Sequence, residues 1–524
     1  MLLANATFAQ QTYVKSFDFG GDDYVNALTP ALPDGSRYAI GSSSAASAGS
    51  YDMALIKIDS TGTPQWEKQF GGTGFDAGRN LLLTSDQAVI LTGSTNSFPG
   101  TNGSDVLAVK VDPTGNVIWA KSFGTAADDV CYKVTEAPDS GYFFIGQTKG
   151  ATKDGGKGEI LIIKTDRAGT PEWTKTVGSV NGTEFGYEGW AIGQDGLVVG
   201  GYSNLGLIGG TDVEMHLVSL TGDLIMSIVF GGTSDDDARK FAPTQNGIMI
   251  AGNTRSFGAP NQGDMFVARL EGNSGPPTIT SFSLIGNSVD ESLTAFNFDG
   301  NSGYVGSALY DGNSGIMFGT DTLGKVKWSK QYHGTQSDVI MEANANQRGV
   351  FGVGYSNSFG GTANNMFVVN ASADGTVPCN MTALTLKDSA VTPTVLGPMI
   401  ADYTSDTLNM TTTDITASII KTSNTIVPNV LCASSVGIGA IANNIAFNAY
   451  PNPANNSITV SCDEMTGKEA TINMVDITGR IVKTITNNQL SEVKINVADL
   501  QNGFYTVVLK LAEKQVSHSV VIAK

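Results

Sequence analysis

The chain has 524 residues, 15% of them charged, and a formal net charge of -18. That length admits two or three domains, and the acidity excludes a duplex-binding protein, which needs a basic footprint to displace counterions. The 63 Gly against 17 Pro, with 41% apolar residues, exclude a disordered or collagen-like chain and suit short strands joined by tight turns.

Residues 1–9 read as the remnant of a signal peptide, with Thr7 and Ala9 as the small residues before a cut at Gln10. No apolar run in the chain reaches the roughly 18 residues of a membrane-spanning helix. From Tyr13 onward one phrase recurs. It stands first as Tyr13-Val14-Lys15-Ser16-Phe17, with nothing before it. It returns as Trp66-Glu67-Lys68-Gln69-Phe70-Gly71-Gly72, as Trp119-Ala120-Lys121-Ser122-Phe123-Gly124, as Trp173-Thr174-Lys175-Thr176-Val177-Gly178 and as Trp328-Ser329-Lys330-Gln331-Tyr332. Degenerate copies end at Phe230-Gly231-Gly232 and at Ile285-Gly286. The glycines of the step are Gly20, Gly71, Gly124, Gly178, Gly231, Gly286 and Gly334, spaced by 51, 53, 54, 53, 55 and 48 residues.

Each unit holds four strand-like runs. In the second they are Arg79–Thr84, Ala88–Thr92, Val106–Val111 and Val117–Phe123. Four short strands per roughly 50 residues mark a propeller blade. The glycines open seven copies of the first three strands, but fourth strands follow only six, because Cys379 stands where the seventh Trp is expected. The N-terminal phrase supplies the missing strand. The expected fold is therefore all-β: a seven-bladed β-propeller over 10–379, closed by Tyr13–Phe17 beside residues 366–370, then a small Ig-like β-sandwich over 447–524. The units resemble short bacterial β-propeller repeats of the SBBP type. The residues that carry the likeness are the Phe-Gly-Gly step, the Asp59, Gly62 and Trp66 of an Asp-x-x-Gly-x-x-x-Trp turn, and Gly103-Ser104-Asp105 before the third strand. That resemblance implies a fold and is silent on activity, because propellers host many unrelated functions.

Catalytic signatures are missing from the sequence. The three histidines, His216, His333 and His518, share no motif, and neither HExxH nor GxSxG occurs. A non-enzymatic protein without a cofactor is expected. Two sets of repeated residues are the candidate sites. The acids after each glycine step are Asp22, Asp76, Asp129, Glu184, Asp236, Asp290 and Asp338. They are expected to ring one mouth of the central channel, where carboxylates hold Ca²⁺ or a basic partner. The competing reading is that each caps its own loop by accepting backbone N–H bonds. Phe98, Phe257 and Phe359 lie in Ser-Phe loops after the second strand. They read either as exposed rings that stack on sugar or protein, or as plugs of their own loops. Trp66, Trp119, Trp173 and Trp328 read as blade packing.

Residues 380–446, rich in Thr, Ser and Asn, read as a linker module. Asp388-Ser389-Ala390 and Asp406-Thr407-Leu408 match a short bacterial O-glycosylation pattern, with an unmodified linker as the alternative. Cys379 and Cys432 bracket this stretch and are expected to pair in an exported protein, leaving Cys131 and Cys462 free. From Phe447 the style changes. Pro451, Asn452 and Pro453 form a first motif, Asp476 and Gly479 a second, and Leu500, Gly503 and Tyr505 a last one, with Gly503 expected at a tight turn. This segment resembles the type A sorting domain of type IX secretion cargo. The resemblance implies a Gram-negative envelope, passage through an outer-membrane translocon, binding to its shuttle barrel and removal by a sortase that anchors cargo at the surface. The expected function is that of an exported cell-surface adhesin or scaffold that binds protein or glycan. The alternatives are an accessory of the translocon or gliding machinery, docked through a retained sorting domain, and a polysaccharide-active enzyme.

Overall fold

A computed structural model describes residues 12–523, apart from 46–48, 99–102, 152–154, 245, 259–261, 273–276, 301–302, 347–348, 360–362, 380, 400–402, 423–427, 434–447, 463–464, 477–480, 489 and 512–513. The segment 1–9 and Gly479 thus lie outside the described residues. Among the described residues, the elements are β-strands apart from a 3-10 turn at Gly193–Asp195. Among the described residues, no helix is long and apolar enough to cross a membrane. Residues 12–434 form one compact unit, and the C-terminal residues from 448 belong to another.

The first unit carries seven five-stranded sheets. In each of the first six, four consecutive strands of one sequence unit form an antiparallel meander, over 23–71, 76–124, 129–178, 184–231, 236–286 and 291–332. Sheet 7 takes three strands from 338–371. Its fourth is Tyr13–Phe17, paired with Asn365–Ala371 in a register running from Tyr13↔Asn370 to Phe17↔Met366. The first strand of each sheet packs against the first strand of the next, and that of sheet 7 returns to sheet 1. The sheets therefore close a ring, with their first strands innermost. Each is covered on both faces by its neighbours, which is why strands such as Asp105–Val111 are buried along their whole length and read as apolar runs.

One contact repeats around the ring and explains the repeated phrase. Gly62 closes the turn after Asp59 at φ +75°, a left-handed conformation that favours glycine. The space beside its Cα is filled by the ring of Tyr13. The matching Gly115, Gly169, Gly222 and Gly375 sit over Trp66, Trp119, Trp173 and Trp328. The turn glycine of one sheet thus rests on an aromatic residue of the sheet before it. Tyr13 fills for sheet 1 the slot that Trp fills elsewhere.

Residues 381–433, expected as a linker, instead belong to the ring. Their seven short strands are Met381–Ala383, Lys387–Ala390, Thr394–Met399, Thr404–Thr407, Thr411–Asp414, Ile420–Thr422 and Pro428–Ala433. In turn they become the fifth, outermost strands of sheets 6, 5, 4, 3, 2, 1 and 7. The segment circles the ring once, against the direction of the chain, as a belt. Its composition follows from its position: one edge is paired and the outward face meets water, so Lys387–Ala390 is exposed throughout. Between the strands, single apolar side chains reach inward. Leu386, Ile415 and Ile419 are buried, and Leu408 and Met410, with Leu431 from the last belt strand, pack on the cores. Cys379 and Cys432 are bonded, with Cα atoms 6.1 Å apart, and close the belt on itself. Cys131 and Cys462 are free and buried.

The C-terminal unit has two sheets. One joins Asn448–Tyr450, Ser457–Ser461 and Glu492–Asn496; the other orders Ile481–Asn488, Glu469–Asp476, Gly503–Leu511 and Lys514–Ile522. They share one core that includes Ile458, Val460, Ile472, Ile495, Leu509 and Ile522. Pro451, Asn452 and Pro453 are exposed, and Asn452 Oδ1 accepts a hydrogen bond from Val521 N at 2.8 Å, which ties the first motif to the last strand. Leu500 and Tyr505 pack against the core, and the Tyr505 hydroxyl donates to Gln501 O at 3.0 Å. Asp476 ends its strand, half-buried. Gly503 opens a strand rather than sitting in a tight turn. Its φ of +159° is a backbone conformation that side-chain-bearing residues rarely adopt, while the space beside its Cα is open as far as the Tyr505 ring, at 3.9 Å.

Candidate binding site on the inner strands

The repeated acids stand at the starts of the inner strands. Asp76 Oδ2 accepts from Gly72 N at 2.8 Å and Ser97 Oγ at 2.6 Å. Asp236 Oδ2 repeats this with Gly232 N and Ser256 Oγ, at 2.7 and 2.6 Å. Asp129 accepts from Thr125 N at 2.6 Å, Asp338 from Ser358 Oγ at 2.8 Å, and Glu184 from Ser179 N at 3.2 Å. These five are buried. They close their own loops and do not line an open mouth, contrary to the expectation. Asp22 and Asp290 lie one residue earlier than this position, which Asp23 and Glu291 occupy. Asp22 accepts from Asn364 N at 2.9 Å and Asp290 from Gly263 N at 2.7 Å. The seven acids therefore form no single ring. Among the described residues, no three His, Cys, Asp or Glu side chains are grouped to hold a metal ion.

At several junctions the buried acid faces a second one from the preceding sheet. The step glycine lies between them: Gly71 between Asp52 and Asp76, Gly178 between Glu159 and Glu184, Gly231 between Asp212 and Asp236, and Gly286 between Asp264 and Glu291. Burial disfavours the charged form. It pushes Asp23 up to about 7. Burial and the neighbouring Asp264 push Glu291 up to about 8. Glu184 is raised by burial and by Glu214 and Glu159 beside it.

The three loop phenylalanines also serve the repeat. Phe98 packs on the core of sheets 1 and 2. Phe257 meets Phe282 edge-on at 5.5 Å, and Phe359 stacks on Phe367 at 5.8 Å. Each ring, with the serine before it, fills the space beside the glycine two residues after the last aromatic of the phrase: Gly72, Gly232 or Gly334. They are plugs, not exposed stacking faces.

The residues free to serve a ligand lie elsewhere. In every inner strand the register slips by one after the third residue. The residue left unpaired is Asn26, Arg79, Tyr132, Tyr187, Arg239, Thr294 or Met341, and a bulge of this kind re-aims its side chain. Tyr132 and Tyr187 meet edge to face at 4.9 Å. Phe185 stacks on Tyr202 at 4.7 Å. Arg79 lies over the Tyr132 ring at 5.1 Å and Arg239 over Tyr187 at 4.6 Å, in the range of cation–π attraction. Asp237 holds Arg239 with two bonds, 2.6 and 3.2 Å, and Asn253 Nδ2 donates to Asp237 at 3.0 Å. One residue beyond the bulges, Lys133 pairs with Glu188 at 2.6 Å and Lys240 with Glu342 at 3.0 Å. Beside Arg239 a cavity of about 770 Å³ opens between sheets 5 and 6, lined by Asp237, Asn253, Arg255, Asp290 and Asp311 among others. The size suits a small ligand or a short stretch of polymer. The sequence signal for this site is the position three residues after each buried acid, where the units disagree.

A family model described as the secretion system C-terminal sorting domain matches residues 448–523. No curated protein matches the chain. The C-terminal unit is thus a type IX sorting domain, which marks the chain for export and for association with the cell surface or outer membrane of a Gram-negative cell.

Proposed function

We propose that the seven sheets are the blades of a propeller that is delivered to the cell surface by the type IX route and binds, without catalysis, a protein or glycan at the inner-strand site. The observation that carries this reading is the division of labour around the ring. Residues that repeat close loops and fill blade junctions, whereas the bulged positions differ from blade to blade and gather tyrosine and arginine on sheets 2 to 5. Such variation on a repeated frame is where ligand specificity resides in closed-ring folds. The shuttle barrel and a sortase are the partners of the sorting domain in this reading. A panel of glycans and peptides tests it, with full-length protein immobilised. Retention of a ligand, and its loss in Tyr187→Ala and Arg239→Ala variants with unchanged circular dichroism, is expected. Retention unaffected by both substitutions overturns the site.

A further inference from the structure

At five junctions of the ring the turn glycine of one sheet rests on Tyr13, Trp66, Trp119, Trp173 or Trp328 of the sheet before it. Sheets 4 and 5 do not supply that ring. Five residues before the step glycine, where Trp66 precedes Gly71, sheet 4 has Met226 and sheet 5 has Ser281. Between sheets 5 and 6 the slot is closed in another way: Gly324, at φ +84°, lies against Val267, which a Cβ there would meet at 3.0 Å. Between sheets 4 and 5 the sequence Glu271-Gly272-Asn273-Ser274 departs from the Asp-x-x-Gly turn, and a cavity of about 460 Å³ remains. Two junctions whose earlier sheet keeps a tryptophan hold smaller cavities, about 160 Å³ between sheets 3 and 4 and about 200 Å³ between sheets 6 and 7.

The wall of this cavity is apolar and comes from both sheets. Met215, Met226, Phe241 and Leu270 line it and belong to, or pack against, one buried core. Trp190 lines it as well and is 40% exposed, so it marks the opening. Thr244, also in the lining, has its hydroxyl buried without a hydrogen-bond partner. Among the described lining residues, Asp195 is the one charged group. We infer that the cavity between sheets 4 and 5 binds a single aromatic ring system of indole size that carries a hydrogen-bond donor and no negative charge. The ring takes the slot that tryptophan fills elsewhere. Thioethers and rings in the wall favour an aromatic over an aliphatic occupant, the Thr244 hydroxyl accepts from its donor, and Asp195 repels a carboxylate on it. The size lies in the range of small-ligand pockets. This cavity shares no lining residue with the one beside Arg239, and the inference does not rest on that site. A free aromatic compound and an aromatic side chain of another protein both present such a ring.

Titration calorimetry of the full-length protein tests it with indole, N-acetyl-tryptophanamide, indole-3-acetate and N-acetyl-leucinamide. Indole is expected to bind, indole-3-acetate to bind roughly tenfold more weakly, and the leucine amide not to bind. The tryptophan amide tells the sources apart: binding equal to that of indole assigns the slot to a side chain of a partner protein, and binding of indole alone assigns it to a free compound. Met226→Trp restores the residue of the repeat, and is expected to keep the melting profile and to abolish indole binding. Trp190→Ala, at an exposed position that leaves the fold intact, is expected to weaken indole roughly tenfold, and carries the test alone if Met226→Trp melts early. No heat from any aromatic probe, equal binding of the leucine amide, or indole binding that Trp190→Ala and a folded Met226→Trp leave unchanged overturns the inference.

Discussion

Glu291 shows how a single buried carboxyl shapes the behaviour of the ring. With Asp264 across the junction, burial pushes it up to about 8, and Asp23 is held at about 7. Asp129, Asp212, Asp236 and Asp264 are raised in the same direction, by burial first. In the unfolded chain such groups titrate near pH 4. The folded protein therefore keeps protons that the unfolded chain releases. Their contribution to stability is complete below about pH 4 and is lost as pH rises through the folded values of about 7 to 8. Asp112 and Asp414, held down to about 2 by hydroxyl, amide or lysine partners, act only at the acid end and do not compete in this window. The unfolding midpoint is expected to fall from mildly acidic to mildly alkaline pH. Glu291→Gln, which keeps the shape and removes the charge, is expected to flatten that slope and to raise the midpoint at alkaline pH. Thermal melts across pH check both, and an unchanged slope in the variant would remove Glu291 as a cause.

At the scale of the element, the belt is the feature that shapes the outer rim. Its strands are three to six residues long, and each pairs with the last strand of a different sheet, so each alone is marginal. They hold because each sheet offers an edge that is otherwise open, because anchors such as Ile415 and Ile419 enter the crevices, and because the disulfide joins the two ends. Cross-linking residues 53 apart contributes about 4 kcal/mol on the chain-entropy estimate. Replacing both Cys379 and Cys432 by Ser is expected to lower the unfolding midpoint and to expose 381–433 to limited proteolysis while the inner sheets resist. Equal resistance of belt and sheets would show that the strands hold without the bond. This element was hidden in the sequence for a physical reason. A strand wetted on one face, with only one or two apolar side chains turned inward near it, shows neither period-2 alternation nor an apolar run, and its Thr and Ser read as a linker. The inner units were legible because double-sided burial and the glycine–tryptophan contact impose residue types at fixed spacing. The same logic misdirected the search for a site: Asp76, Phe98 and their counterparts stood out because they repeat, and they repeat because they hold the sheets together. Tyr132, Tyr187 and Arg239 had no consensus to mark them, and only the bulge shared by all seven strands brings them into view.

For the whole molecule, the sorting domain and the proposed binding surface lie in separate folding units. Residues 12–434 have their own cores, with the N-terminal strand of the ring clasped between Asn365–Ala371 and Pro428–Ala433. The C-terminal unit buries a different set around Ile472, Val507 and Leu509. A chain ending at Ser434 retains the ring, the belt and the disulfide, so it is expected to fold. It lacks the region that matches the sorting-domain model, 448–523. Expressed in a bacterium with a type IX system behind a signal peptide that carries it across the inner membrane, this truncated form is expected to accumulate in the periplasm, with its cysteines oxidised and its melting profile intact. A passenger protein joined to 435–524 is expected to reach the surface. Surface labelling of intact cells, set beside fractionation, distinguishes the compartments. Truncated protein that is misfolded in the periplasm would leave delivery unread, so the melting profile is measured on material purified from that fraction. Folded ring at the surface in normal amounts, without the C-terminal unit, would place the address in the ring itself and refute the separation.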